Sequence, residues 1–228
     1  MAQPSEIDRI SIQVSLSGFS FAVYSGSSIR RSPWHSAEKL FTTPEFQKRY
    51  DEVDISLLTP KFTLVPESFF DESKAAQMLS EVAPLREVDV VEWIEVPAQG
   101  AVLIYSVSMD ESLSRVLSQN VLRKDGTSAK VLPEVYYLLS SLQDCPDYNK
   151  IMASWRDGWL HLVIGQGRNL SLCNAFKAPD FTTAEYFIFL SMNKLQLNPE
   201  MSSIYLRTDV GPKEEMSLYN YFKSVGRI

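Results

Sequence analysis

The sequence predicts an α/β protein in two lobes, each built on a β-β-β-α-β-α unit. Three observations predict it. Residues 11–24 read SIQVSLSGFSFAVY, with apolar residues alternating on both sides of Ser17-Gly18. Period two around a small polar residue and a glycine marks a tight β-hairpin. The same pattern returns in the second half, where residues 148–155 and 159–164 flank Asp157-Gly158. Each hairpin continues into a third strand and then a helix-length segment, so the unit reads as an internal duplication.

In the first half, Ile12, Val14 and Leu16 form one side of the hairpin and Phe19, Phe21 and Val23 the other. A second turn at Ser25-Gly26-Ser27-Ser28 leads to a strand over 29–34, and the spacing then predicts a helix over 36–50. Short strands follow at 53–58 and 61–66. Residues 67–82 read as a helix with Phe70, Ala75, Met78 and Leu79 facing inward. Segments 88–96 and 101–107 flank Pro97-Ala98-Gln99-Gly100 as a hairpin. Residues 110–120 read as a helix with Asp110 as its N-cap. A turn at 123–128 precedes a helix over 133–143 that carries the chain onward. The expected lobes are therefore 1–143, with a central hairpin insertion, and 144–228, a trimmed copy.

In the second lobe, Gly165-Gln166-Gly167 turns the chain into a strand over 169–176. Pro179-Asp180 opens a helix reaching about Leu197, with Thr182 or Thr183 as its cap and Phe181, Glu185, Ile188 and Met192 in its early turns. A strand over 203–206 and a helix over 213–222 complete it. The expected repeat register aligns Gly18 with Gly158, Phe19 with Trp159 and Val23 with Val163.

Composition limits the chemistry. The 228 residues are 45% hydrophobic and 22% charged, with a net charge of -6, 2 Cys and 2 His. A chain of this length buries roughly 70–75% of its unfolded surface, so neither metal nor disulfide is needed to hold it. Cys145 and Cys173 make no disulfide framework and have no metal-ligand spacing, which suits a reducing, cytoplasmic setting. The first eight residues lack a basic start and no apolar segment follows them, so no secretory signal is expected. The apolar runs at 101–105 and 186–190 fall far short of the roughly 20 residues of a membrane span. The acidic balance, with Arg30-Arg31 and Arg123-Lys124 as the notable basic pairs, argues against a nucleic-acid partner.

The run Ile12-Gln13-Val14-Ser15 with Ser17-Gly18-Phe19-Ser20-Phe21, then Phe62-Thr63-Leu64-Val65-Pro66, then Ile204-Tyr205-Leu206 before Asp209-Val210-Gly211, resembles a bacterial family of unknown function with an actin-like ATPase fold. That fold, ribonuclease H-like in its sheets, is shared by actin, sugar kinases and the heat-shock-seventy ATPases. The resemblance implies a nucleotide cleft with a phosphate loop at the first hairpin turn of each lobe. Such a site needs a carboxylate to hold Mg²⁺ through water and a Gly-rich backbone to meet phosphate. The first turn, 15–20, has one glycine, no acid and a bulky Phe19. At the second, Asp157 sits in an Asp-Gly pair between Arg156 and Trp159, which suits a two-residue hairpin better than a phosphate cradle. The late turn 206–211 offers Gly211 alone as glycine, with Arg207 read as a solvated loop residue. Ser17, Gly18, Asp157, Gly158 and Gly211 are the candidate cleft residues. No cofactor is expected, and ATP is left as the disfavoured exception.

The remaining groups are few. His161, aligned with Phe21 in the expected register, and His35 read as strand residues, and Cys173 as a packed thiol, so no catalytic or metal residue is assigned. Glu87, Asp89 and Glu95 share one parity on a strand and read as a solvated face. Most of Trp34, Trp93, Trp155 and Trp159 are expected in the core, any exposed one marking a protein contact. The sequence therefore points to a non-catalytic interaction or scaffold protein, a pseudo-ATPase. The alternative is a nucleotide- or small-ligand-binding protein with weak or absent phosphotransferase activity.

Overall fold

The computed structural model describes residues 8–107 and 111–228, with residues 111–115 along the backbone only. The chain opens with β1 (Asp8–Ser15), β2 (Gly18–Ser25), β3 (Ser28–Arg31) and β4 (His35–Ser36). Two short 3₁₀ helices, Ala37–Thr42 and Pro44–Gln47, lead to β5 (Glu52–Leu57) and β6 (Phe62–Pro66). Then come α1 (Ala75–Ser80), β7 (Val91–Val96), β8 (Ala101–Ser106), α2 (Glu111–Asn120), β9 (Val131–Pro133) and α3 (Glu134–Asp144). The second meander is β10 (Asn149–Arg156), β11 (Trp159–Gln166) and β12 (Asn169–Lys177). It is followed by α4 (Phe181–Lys194), β13 (Ser203–Leu206), α5 (Pro212–Tyr219) and β14 (Ser224–Arg227). The expected cap Asp110 lies outside the described residues. Among those described, no helix is long and apolar enough to cross a membrane.

Two compact units emerge. One comprises Met1–Thr59, Arg86–Val90 and Ser106–Pro133; the other comprises Pro60–Leu85, Val91–Tyr105 and Glu134–Ile228.

In the first unit the sheet runs β3-β2-β1-β5-β9, with β4 also pairing β2. Neighbours are antiparallel at β1–β2 and β2–β3 and parallel at β1–β5 and β5–β9. Alternation puts Ile10, Ile12, Val14, Phe19 and Phe21 on one face, where they pack with Leu40, Phe46, Ile55, Leu57 and Leu117. Each such side chain contributes roughly 1.5–3 kcal/mol on burial. The expected helix over 36–50 is instead the two 3₁₀ pieces. Pro44 disfavours helical backbone at Thr43, which is extended at φ -78°, ψ 112°. The break still delivers Phe46 to the core, 5.1 Å from Phe19 and 5.4 Å from Phe21 between ring centres.

In the second unit the sheet runs β12-β11-β10-β13-β14, with the same order of antiparallel and parallel neighbours. Leu160, Leu162 and Ile164 face Ile188 and Met192 of α4 and Leu218 of α5. The hairpins align differently from expectation. Ser15 pairs with Gly18 across the first turn, and Arg156 pairs with Trp159 across the second. Phe19 therefore corresponds to Leu160, one position beyond the expected Trp159, and His161 corresponds to Ser20. A one-residue slip exchanges the faces of a strand, so Trp159, His161 and Val163 lie opposite the α4 core. The cap of α4 is Asp180, which accepts from the Thr183 amide at 2.8 Å, in place of Thr182 or Thr183.

This unit also holds a three-stranded sheet in the order β6-β8-β7. Ala75 and Leu79 are buried against Val102 and Ile104, with Phe70 and Met78 packed beside them as expected. The helix expected over 67–82 shrinks to α1. Asp71 accepts from the Ser73 amide at 3.0 Å and starts a new turn after an extended Phe70. Asp89, expected on a solvated strand face, precedes β7. It accepts from the Arg86 amide at 2.9 Å, and its side chain is 1% exposed.

Candidate functional site

Ser17 and Gly18 belong to the first unit, and Asp157, Gly158 and Gly211 to the second. The first turn is Leu16-Ser17, with Gly18 as the first residue of β2. The Trp34 indole donates to Ser17 Oγ at 3.1 Å, and the Ser17 amide donates to Ser15 Oγ at 3.2 Å. Gly18 has φ 154°, and a Cβ placed on it would lie 1.9 Å from the His35 carbonyl oxygen. The glycine is required because β4 pairs there: Gly18 sits opposite Ser36.

Asp157 and Gly158 have φ 51° and 72°. Two positive values in a two-residue connection make the primed hairpin turn whose twist matches the flanking strands, which explains Asp-Gly at this position. Next to it, Arg156 donates to the Asp209 carbonyl at 3.1 Å, and the Trp155 amide donates to Thr208 Oγ1 at 2.9 Å. These bonds join the β10–β11 hairpin to the loop before α5. Gly211 caps α5, and a Cβ on it would lie 2.3 Å from Glu214 Oε2. A carboxylate already occupies the helix N-terminus, where a phosphate would otherwise be favoured.

Arg207, expected in solvent, is largely withdrawn from it. It donates to Glu134 at 2.5 Å, and its guanidinium lies 4.4 Å from the centre of the Tyr137 ring. Its side chain is 9% exposed and that of Glu134 0%. Bidentate-capable, always-charged arginine suits such a stacked ion pair. Cys173 is held as a thiol, because burial pushes its pKa up to about 12. A thiol of that kind is a poor nucleophile at neutral pH. His161 is buried on β11 with its ring 6.3 Å from that of Phe62. Among the described residues no group of three or more His, Cys, Asp or Glu is placed to hold a metal ion.

A concavity lies elsewhere, inside the second unit. A groove of about 690 Å³ is lined by residues 60–64 of the β6 segment, residues 82–84, Trp159 and residues 170–175 of β12. A second hollow of about 560 Å³ shares Leu64 and Leu170 with it and adds Pro66, residues 98–101, Arg168 and Asn169. β6 and β12 are both terminal strands of their sheets. Consecutive residues of both side-chain parities line the groove, so the strands present their edges to it. Lys61 and Arg168 are the charged residues of the lining, and no carboxylate is among them. Gln99 Nε2 is shielded from solvent and has no hydrogen-bond partner among the described residues. None of Lys61, Gln99 and Arg168 was singled out from the sequence. The available signal was Pro60 and Pro66 bracketing a short strand, since proline within a sheet is confined to edges.

These two sheets of matching order define an actin-like ATPase fold. A Bacteroides thetaiotaomicron protein described as having an actin-like ATPase fold and unknown function is similar over 98% of this chain and 91% of its own, with TM-score 0.68 and 19% identity. A chain of a PilM-PilN type IV pilus biogenesis complex is similar over 99% of this chain and 89% of its own, with TM-score 0.52 and 12% identity. The chain belongs to the family described as Protein of unknown function (DUF3822), whose model matches residues 2–225. No curated protein matches it.

Proposed function

We propose that this is a non-catalytic interaction protein, a pseudo-ATPase of the bacterial cytoplasm built by internal duplication. The observation that carries the reading is the state of the phosphate-loop positions. Ser17 Oγ accepts from Trp34, Asp157-Gly158 forms a hairpin turn, and Glu214 sits against Gly211. Phosphoryl transfer depends on metal anchoring and positioning of the phosphates, and these turns provide neither a Gly-rich cradle nor a first-lobe acid. The similarity to a chain of a PilM-PilN complex supports a protein partner on this fold.

Calorimetric titration of the full chain with Mg-ATP and with Mg-ADP tests the reading. The expected result is no binding in the micromolar range. Micromolar affinity for either nucleotide overturns it in favour of a nucleotide-binding protein that uses Ser17, Gly18, Asp157, Gly158 and Gly211.

A further inference from the structure

We infer that Asn174 guards the edge of β12: its side chain occupies the outward amide of Ala175 and so keeps a second copy of the chain from pairing there. β12 spans nine residues with no proline and pairs on one side, with β11. A strand edge of that length templates pairing with another chain unless charge, proline, a bulge or a covering element blunts it. No residue of 169–176 is charged, and Lys177 stands at the far end. The register shift at Ile164/Gly165 disturbs the ladder near 170–172, and beyond it 172–177 pairs regularly. Residues 170–175 line the groove of about 690 Å³, and β6 belongs to a different sheet, so no strand covers this edge.

Backbone alternation fixes which amides face outward. The Ala178 amide donates to the Gly158 carbonyl at 2.7 Å, toward β11. Amides two residues apart on an antiparallel strand point the same way, so those of Phe176 and Asn174 also face β11. Those of Lys177, Ala175 and Cys173 face away. The middle one, Ala175, donates to Asn174 Oδ1 at 2.9 Å. A side-chain acceptor of this kind takes a backbone donor out of any ladder. Asparagine is disfavoured in strands, and Asn174 is exposed in the regular part of β12, so this bond is the contact that accounts for it. Charge gives no such protection against a second copy. An antiparallel two-fold centred on Cys173, Asn174 or Ala175 sets Lys177 opposite a neutral residue.

Sedimentation velocity of the full chain over a range of concentrations, with amide exchange, tests the guard. Asn174→Ala frees the Ala175 amide without adding apolar bulk, and Asn174→Asp keeps an acceptor beside it. The alanine variant is expected to self-associate about tenfold or more tightly than the parent, because each copy contributes one freed donor. Its associated form is expected to exchange the amides of Cys173, Ala175 and Lys177 more slowly, whereas Asn174→Asp matches the parent. Equal association of the parent and Asn174→Ala, association of Asn174→Asp as strong as that of the alanine variant, or protection confined to amides elsewhere overturns the inference. The parent alone supplies a check that needs no variant to fold. In dilute solution, corrected for sequence, its Ala175 amide is expected to exchange more slowly than that of Lys177, and equal rates overturn the guard.

Discussion

Gly18 illustrates how one residue separates a structural from a catalytic reading of the same motif. A Gly in the first hairpin of this fold suggests close approach of backbone to phosphate, but here the approaching group is the His35 carbonyl of β4. Gly18→Ala forces a Cβ to within 1.9 Å of that oxygen at φ 154°, so β4 must move away from β2. The expected cost is about 2–4 kcal/mol, combining backbone strain with overpacking. Ser17→Ala removes the acceptor for Trp34 and is expected to cost about 1 kcal/mol. Chemical denaturation of both variants checks this ordering; equal losses would mean the turn has slack that the close contact denies. The role of Gly18 was hidden in the sequence because His35 is seventeen residues away and its carbonyl enters only through the strand pairing.

At the scale of elements, Glu134 and Arg207 join the first residue of α3 to the end of β13. Burial of both groups makes the pair costly to break, because either partner alone leaves a desolvated charge. Glu134→Leu and Arg207→Met are each expected to destabilise the fold by about 3–5 kcal/mol, whereas the double change Glu134→Leu/Arg207→Met is expected to lose less than either. Thermal unfolding of the three variants decides between coupling and independent contributions; additive losses would sink the coupling. Hairpins and meanders were legible because period two and turn residues are local signals. What was not legible depended on packing between distant elements. Arg207 reads as a loop cation until Glu134 and Tyr137 are brought beside it. β14 was missed because Ser224-Val225-Gly226-Arg227 has too little apolar pattern to announce a strand. It forms in parallel beside β13, where the Tyr205 ring lies so close over Gly226 that a Cβ would be 2.7 Å away. The groove was hidden for the same reason, since which strands end as edges is a property of the sheets.

For the molecule as a whole, charge sets the response to acid. The Tyr205 hydroxyl, with help from Ser203 and Lys223, holds the Asp147 carboxyl below the ordinary aspartate range. The Lys124 ammonium does the same for Asp51, and the Thr183 amide for Asp180. A carboxylate whose folded pKa lies below its unfolded one stabilises the fold at pH values above the unfolded pKa. That stabilisation is lost as pH falls through the unfolded and then the folded value. The denaturant midpoint is therefore expected to stay level from neutral pH to about pH 5 and to decline below about pH 4. Asp147→Asn supplies the internal check, because an amide cannot titrate there. The variant is expected to be less stable than the parent at pH 7 and to converge on it as the pH falls through the folded pKa of Asp147, below which both side chains are uncharged. A stability difference that stayed constant from pH 7 to the acid limit would show that the bond to Tyr205 contributes through shape rather than ionisation. Such an outcome would leave the other carboxyls held low by their partners, Asp51, Asp71, Asp125 and Asp180 among them, as the source of the acid response.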